Sequence, residues 1–85
     1  MEYTREILDE VAEGAIIIDG FDNCIIGIIE EFGSSPRILY SKKCILDKLQ
    51  TQGIEDRLEA LEYYDFNILG GYFGRQNPVF LDDEF

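Results

Sequence analysis

Arg37-Ile-Leu-Tyr-Ser-Lys-Lys-Cys-Ile-Leu-Asp-Lys-Leu49 changes its periodicity halfway along. Up to Tyr40 it is apolar and β-prone and reads as a strand. From Ser41 onward, Cys44, Ile45, Leu46 and Leu49 recur at the spacing of one helix face. Ser41 is a good N-cap residue and Gly53 a natural stop. Lys42 and Lys43 sit where cations oppose the helix dipole. A strand that runs straight into an amphipathic helix sets the expectation of an α+β fold.

Downstream, a further helix begins at the acids Glu55 and Asp56 and runs through Leu58, Leu61, Tyr64 and Ile68 to Gly70-Gly71. Those apolar positions, three or four apart, predict one inward stripe. Pro78-Val-Phe-Leu81 adds a short strand. Upstream, Phe32-Gly-Ser-Ser-Pro36 is a loop by composition. Before it, Ala15-Ile-Ile-Ile-Asp19 and Cys24-Ile-Ile-Gly-Ile-Ile29 read as two strands flanking Gly20-Phe-Asp-Asn23, whose Gly and Asx residues favour an antiparallel hairpin. Tyr3, Ile7, Leu8 and Val11 predict a first helix from Glu2 to about Ala12, ended by Gly14. The expected order is α-β-β-β-α-α-β. It implies a small antiparallel or mixed sheet of three to four strands with helices packed on one face. We expect one α+β domain over residues 1–85, with 82–85 a flexible acidic tail.

The 85 residues suffice for one domain. A 46% hydrophobic and 13% aromatic content marks a packed globule rather than a disordered acidic segment. Seven Lys and Arg against eighteen Asp and Glu give a net charge of -11. That charge argues against direct contact with nucleic acid, whose phosphates must be neutralised by basic side chains, and against anionic membranes. It favours a basic partner, or serves solubility alone. Cys24 and Cys44 lie in apolar surroundings, as buried free thiols do. A bridge between them is compatible with the sequence but not implied by it. No secretory signal pattern or membrane-length apolar run is present, so a reducing, cytoplasmic setting is expected.

Catalysis finds little support. There is no histidine, which removes the commonest general base and the commonest metal ligand. Two isolated cysteines make neither a zinc site nor a thiol-protease pair. Asp19-Gly-Phe-Asp-Asn23 groups two carboxylates and an amide but lacks the ligand alternation of a calcium loop, and reads as a turn. Gly70-Gly-Tyr-Phe-Gly74 follows a helix, the wrong context for a dinucleotide fingerprint. The expectation is a protein that is not an enzyme and has no cofactor and no metal.

Two groups of residues stand out as binding candidates. Glu55, Asp56, Glu59 and Glu62 fall on adjoining positions of one helix face. Four residues of helix rise about 6 Å, comparable with successive phosphates on a nucleic-acid strand, so such a row can imitate a phosphate backbone; it is also what an ordinary solvated face looks like. Tyr63, Tyr72 and Arg75 are candidate anchors beside it, of the residue types enriched in interface hot spots. Asn67, Arg75 and Asn77 form the alternative set, a small-ligand pocket in a binding or sequestering module, with a homo-oligomer left open.

Three stretches also carry a resemblance: Ile38-Leu-Tyr, Leu58-Glu-Ala-Leu-Glu-Tyr-Tyr-Asp-Phe-Asn-Ile68 and Gly74-Arg-Gln-Asn-Pro-Val-Phe-Leu81. Over this C-terminal half the chain resembles an uncharacterised family of small acidic bacteriophage-encoded proteins, with Asn77-Pro78 where that pattern has Thr-Pro. The resemblance implies a phage origin. As a class tendency, it also implies an accessory factor that binds and inhibits a host nucleic-acid-handling or defence protein, for example a CRISPR effector. A virion assembly accessory is a further alternative.

Overall fold

The computed structural model describes residues 3–72 and 74–84. In chain order these form α1 (Arg5–Val11), a 3-10 turn (Asp22–Cys24), β1 (Ile25–Ile29), β2 (Arg37–Ser41), α2 (Lys42–Thr51), α3 (Arg57–Tyr63), a π-helical continuation (Tyr64–Leu69) and β3 (Val79–Leu81). The α+β class is as expected. β2 is central, antiparallel to β1 and parallel to β3, so the three-stranded sheet is mixed. A bulge between Ile25 and Gly27 leaves Ile26 out of register and exposed.

Side chains alternate across a strand, so Ile38 and Tyr40 of β2 share one sheet face with their cross-strand partners Ile28, Ile25 and Phe80. That face is the core. Leu8 and Ala12 of α1, Ile45, Leu46 and Leu49 of α2, and Ala60, Tyr64 and Ile68 beyond them close over it in one cluster. Phe80 stacks on Tyr40 and meets Tyr64 edge-on, with ring centres 6.0 and 5.6 Å apart. α1 is capped by Thr4, whose hydroxyl accepts from the Ile7 amide. Glu2, the expected start of this helix, lies outside the described residues.

One expected strand does not form. Ala15–Ile18 joins no ladder, and two of its amides are engaged elsewhere: Ile16 N–H donates to the Gln76 carbonyl at 3.1 Å, and Ile18 N–H to the Tyr40 hydroxyl at 2.9 Å. The expected hairpin with β1 is therefore absent. Successive turns at Phe21 and Cys24 redirect the chain instead. Arg5 fixes their outer side by pairing with Asp19 at 2.9 Å and Asp22 at 3.0 Å.

The acidic C-terminal stretch, read from sequence as a flexible tail, makes specific contacts over its described residues, 82–84. Asp83 accepts from the Ser41 hydroxyl at 2.6 Å and from the Lys43 amide at 2.8 Å, while Ser41 itself caps α2 through the Cys44 amide. Asp82 pairs with Lys42 at 3.6 Å. Two carboxylates thus supply the N-terminus of α2 with the negative charge that its own first turn lacks, which accounts for Lys42 and Lys43 there.

Hydrogen bonds from Ser41 and Lys43 hold the Asp83 carboxyl below the usual carboxylate range. Its contribution to stability is therefore complete above the unfolded pKa of about 3.9 and drains as pH falls through the lower folded value. Asp83→Ala is expected to cost about 1 kcal/mol at neutral pH, the scale of a lost helix cap. The gap to the parent should close below about pH 4. Thermal melts of both proteins from pH 7 to pH 2 check this; a gap that persists in acid would show that the carboxylate charge is not what holds the cap.

Candidate functional site

α3 starts at Asp56, whose carboxylate accepts from the Leu58 amide at 3.0 Å. Its buried side is the row Ala60, Tyr64 and Ile68, each four residues from the next. Leu58, expected in the inward stripe, is instead 61% exposed. It stands two residues before Ala60, about 200° round the helix, and so points outward. Glu62 and Phe66 occupy the equivalent positions after Ala60 and Tyr64. The outer row of the helix is consequently Leu58, Glu62 and Phe66, and it is not purely acidic.

The spacing predicted one stripe through Leu58; in the fold Ala60 joins Tyr64 and Ile68 on the buried side in its place. Ala60 is completely buried, and α3 packs against α2.

Past Tyr63 the helix widens. Gly70 N–H reaches back five residues to the Asp65 carbonyl at 3.1 Å, and the Asn67 side chain donates to the Tyr63 carbonyl at 3.2 Å. A Cβ on Gly71 would collide with the Asn67 carbonyl oxygen, so the turn that leaves the helix requires glycine there.

The charge on this face follows from where Arg57 points. Its guanidinium donates to Asp47 at 2.7 Å and to Gln50 at 2.9 Å, and it also binds Glu84. Burial disfavours the Arg57 charge, but the hydrogen bonds to Glu84 and Asp47 outweigh it and the pKa is raised. α3's only basic residue thus ties the helix to α2 and to the C-terminal stretch. Among the described residues, Glu55, Glu59, Glu62 and Asp65 make no ion pair, and all four are exposed. Asp56 is exposed too, although its carboxylate is engaged as the cap.

The remaining candidates are dispersed. Tyr63 is 45% exposed on the flank of α3. Tyr72 packs against the core, so it is not a free anchor. Arg75 lines a cleft of about 370 Å³ with Gly33, Ser34 and Ser35, in the loop that precedes β2. Arg57, by contrast, binds Glu84 beyond the far end of β3, so Arg75 and the start of α3 lie at opposite ends of the sheet.

The alternative set does not assemble. Asn67 is exposed on the helix, and neither it nor Asn77 lines the Arg75 cleft. The Asn77 side-chain oxygen is buried without a hydrogen-bond partner among the described residues.

Cys24 and Cys44 are not free thiols. They form a disulfide, with Cα atoms 5.4 Å apart, that joins the start of β1 to the first turn of α2. Their apolar neighbours fit a buried bridge as well as a buried thiol, and the cysteine argument for a reducing compartment falls away. Beside the bridge, Asn23, Cys44, Asp47, Lys48 and Thr51 line an open cleft of about 380 Å³.

No group of three or more His, Cys, Asp or Glu side chains suited to a metal occurs among the described residues, and none of their helices is long and apolar enough to cross a membrane. Compared with protein-family models, curated proteins and solved structures, the chain matches none.

Proposed function

We propose that this protein is a non-enzymatic binding module of phage origin. In this reading it engages a basic host protein, one that handles nucleic acid or serves in defence, such as a CRISPR effector, and inhibits it by occupying its basic groove with the exposed face of α3. The carrying observation is that Arg57 turns away to Asp47 and Glu84, which leaves Glu55, Glu59, Glu62 and Asp65 without a counter-charge. Like charges along one helix face repel, and a basic partner relieves that repulsion on binding. Glu6, Asp9 and Glu10 give α1 exposed acids as well, with Glu13 just past its end. α1 exposes one large apolar side chain, Val11, whereas the α3 face and its continuation carry four, Leu58, Tyr63, Phe66 and Leu69.

The test is capture from a nuclease-treated bacterial lysate on the immobilised protein, eluted in steps of rising salt, followed by affinity measurement with the purified basic protein recovered. Glu59→Lys/Glu62→Lys is expected to weaken that binding by about tenfold near 0.15 M salt and far less near 1 M, where surface charges are screened. Unchanged affinity at low salt would sink the proposal.

A further inference from the structure

We infer that the element this protein recognises is a basic amphipathic helix, whose apolar stripe seats on Leu58 and Phe66 while its Lys and Arg side chains meet the acids alongside. The inference rests on the binding role proposed above and specifies the partner's chemistry at that same face.

Eight large hydrophobic side chains are exposed among the described residues, and four of them, Leu58, Tyr63, Phe66 and Leu69, fall within α3 and its π-helical continuation. Phe66 is 81% exposed and Leu58 61%. Between them stands Glu62, and Glu59 and Asp65 border the row. A surface that only had to imitate phosphates would gain nothing from a Phe and a Leu held out in water. Leu58, Glu62 and Phe66 make a ridge spaced by four residues, with its two apolar anchors eight apart, and such a ridge suits the groove between side-chain rows of another helix.

Charge selects among the occupants. A second copy would bring another net -11 and set Glu59, Glu62 and Asp65 against their own equivalents. An anionic membrane would repel the same acids. A helix with a basic border satisfies Leu58 and Phe66 together with the acids between and beside them.

The probe is a synthetic fifteen-residue peptide of Leu and Lys only, with its leucines at helical spacing. The control is a scrambled peptide of identical composition and charge. Both are titrated into the isotopically labelled full chain while backbone amide shifts are followed. We expect the ordered peptide to bind about tenfold more tightly than the scrambled one, a difference of about 1.4 kcal/mol, with the shifts centred on Leu58, Phe66 and their neighbours. Leu58→Ser/Phe66→Ser, both at exposed positions, should abolish that preference and retain the weak, salt-sensitive binding of the scrambled peptide.

Equal binding of the two peptides, or a preference that survives the double Ser substitution, overturns the inference and leaves the acidic-face reading standing. The inference also fails if the shifts centre elsewhere, or if the free chain self-associates in sedimentation through Leu58 and Phe66. If Glu59→Lys/Glu62→Lys changes neither titration, the acidic-face reading itself falls.

Discussion

Reduction of the Cys24–Cys44 bridge is expected to lower the unfolding free energy by about 3 kcal/mol. The two residues are 20 apart in sequence, and closing a loop of that length removes about that much conformational freedom from the unfolded chain. A domain this small buries a limited share of its surface and holds a thin margin, so the loss is large in proportion. For a chain of this size it corresponds to a fall of roughly 15 °C in Tm. Thermal melts with and without a phosphine reductant measure it directly. The two single substitutions separate the causes. Cys24 is fully buried and Cys44 half-buried, so Cys24→Ser should cost more than Cys44→Ser, because it also buries a hydroxyl. An unchanged Tm on reduction would show that β1 and α2 are held together by packing alone.

The parts of this fold that were legible in the sequence are those determined within a few residues. The change of period at Ser41, with a cap residue on the boundary, placed β2 and α2 correctly because both signals are local. Ala15–Ile18 has the same β-branched composition as β1, yet its amide partners are Gln76 and Tyr40, far away in sequence. Strand propensity states that a segment fits an extended, half-buried course. It does not state that a neighbour will pair with it.

The candidate site was legible in charge and not in shape. Glu59 and Glu62 stand exposed on α3 where the helical spacing puts them, but the helix begins two residues later than expected, with Asp56 as its extended N-cap and Glu55 before it, and the single expected stripe is turned so that Leu58 leaves the inward face. The apolar spacing favoured Leu58, whereas the fold buries the smaller Ala60 and leaves Leu58 61% exposed. The same limit explains Asp82 and Asp83. By composition they read as a solvated tail, and only the folded chain brings them to the first turn of α2. Arg57 is the clearest instance. Among acids of its own helix it reads as their counter-charge, but in the fold it serves Asp47 and Glu84, and the uncompensated face follows from that choice.

The second large effect is expected at Tyr40, where the unpaired segment is fastened to the sheet. Its side chain is fully buried on the central strand, stacks with Phe80, and accepts the Ile18 amide at 2.9 Å. Burial pushes the Tyr40 hydroxyl above its ordinary pKa, so it stays neutral through the physiological range. Tyr40→Ala removes an aromatic ring from the core and should cost about 3–5 kcal/mol, a large part of the whole margin. Tyr40→Phe keeps the ring and strands one buried N–H, at about 1–3 kcal/mol. Urea denaturation of the parent and both variants separates the two contributions, and amide exchange at Ile18 supplies an independent readout, since protection there should fall in Tyr40→Phe while β2 stays protected. Tyr40 pairs across the sheet with Ile25, the residue next to Cys24. Loss of the ring and loss of the disulfide therefore act on one contact region, and their effects should not add. If Tyr40→Phe is neutral and Ile18 remains protected, burial of Ile18 and the Ile16–Gln76 hydrogen bond fasten the segment, and the hydroxyl contact has no share in the stability of the fold.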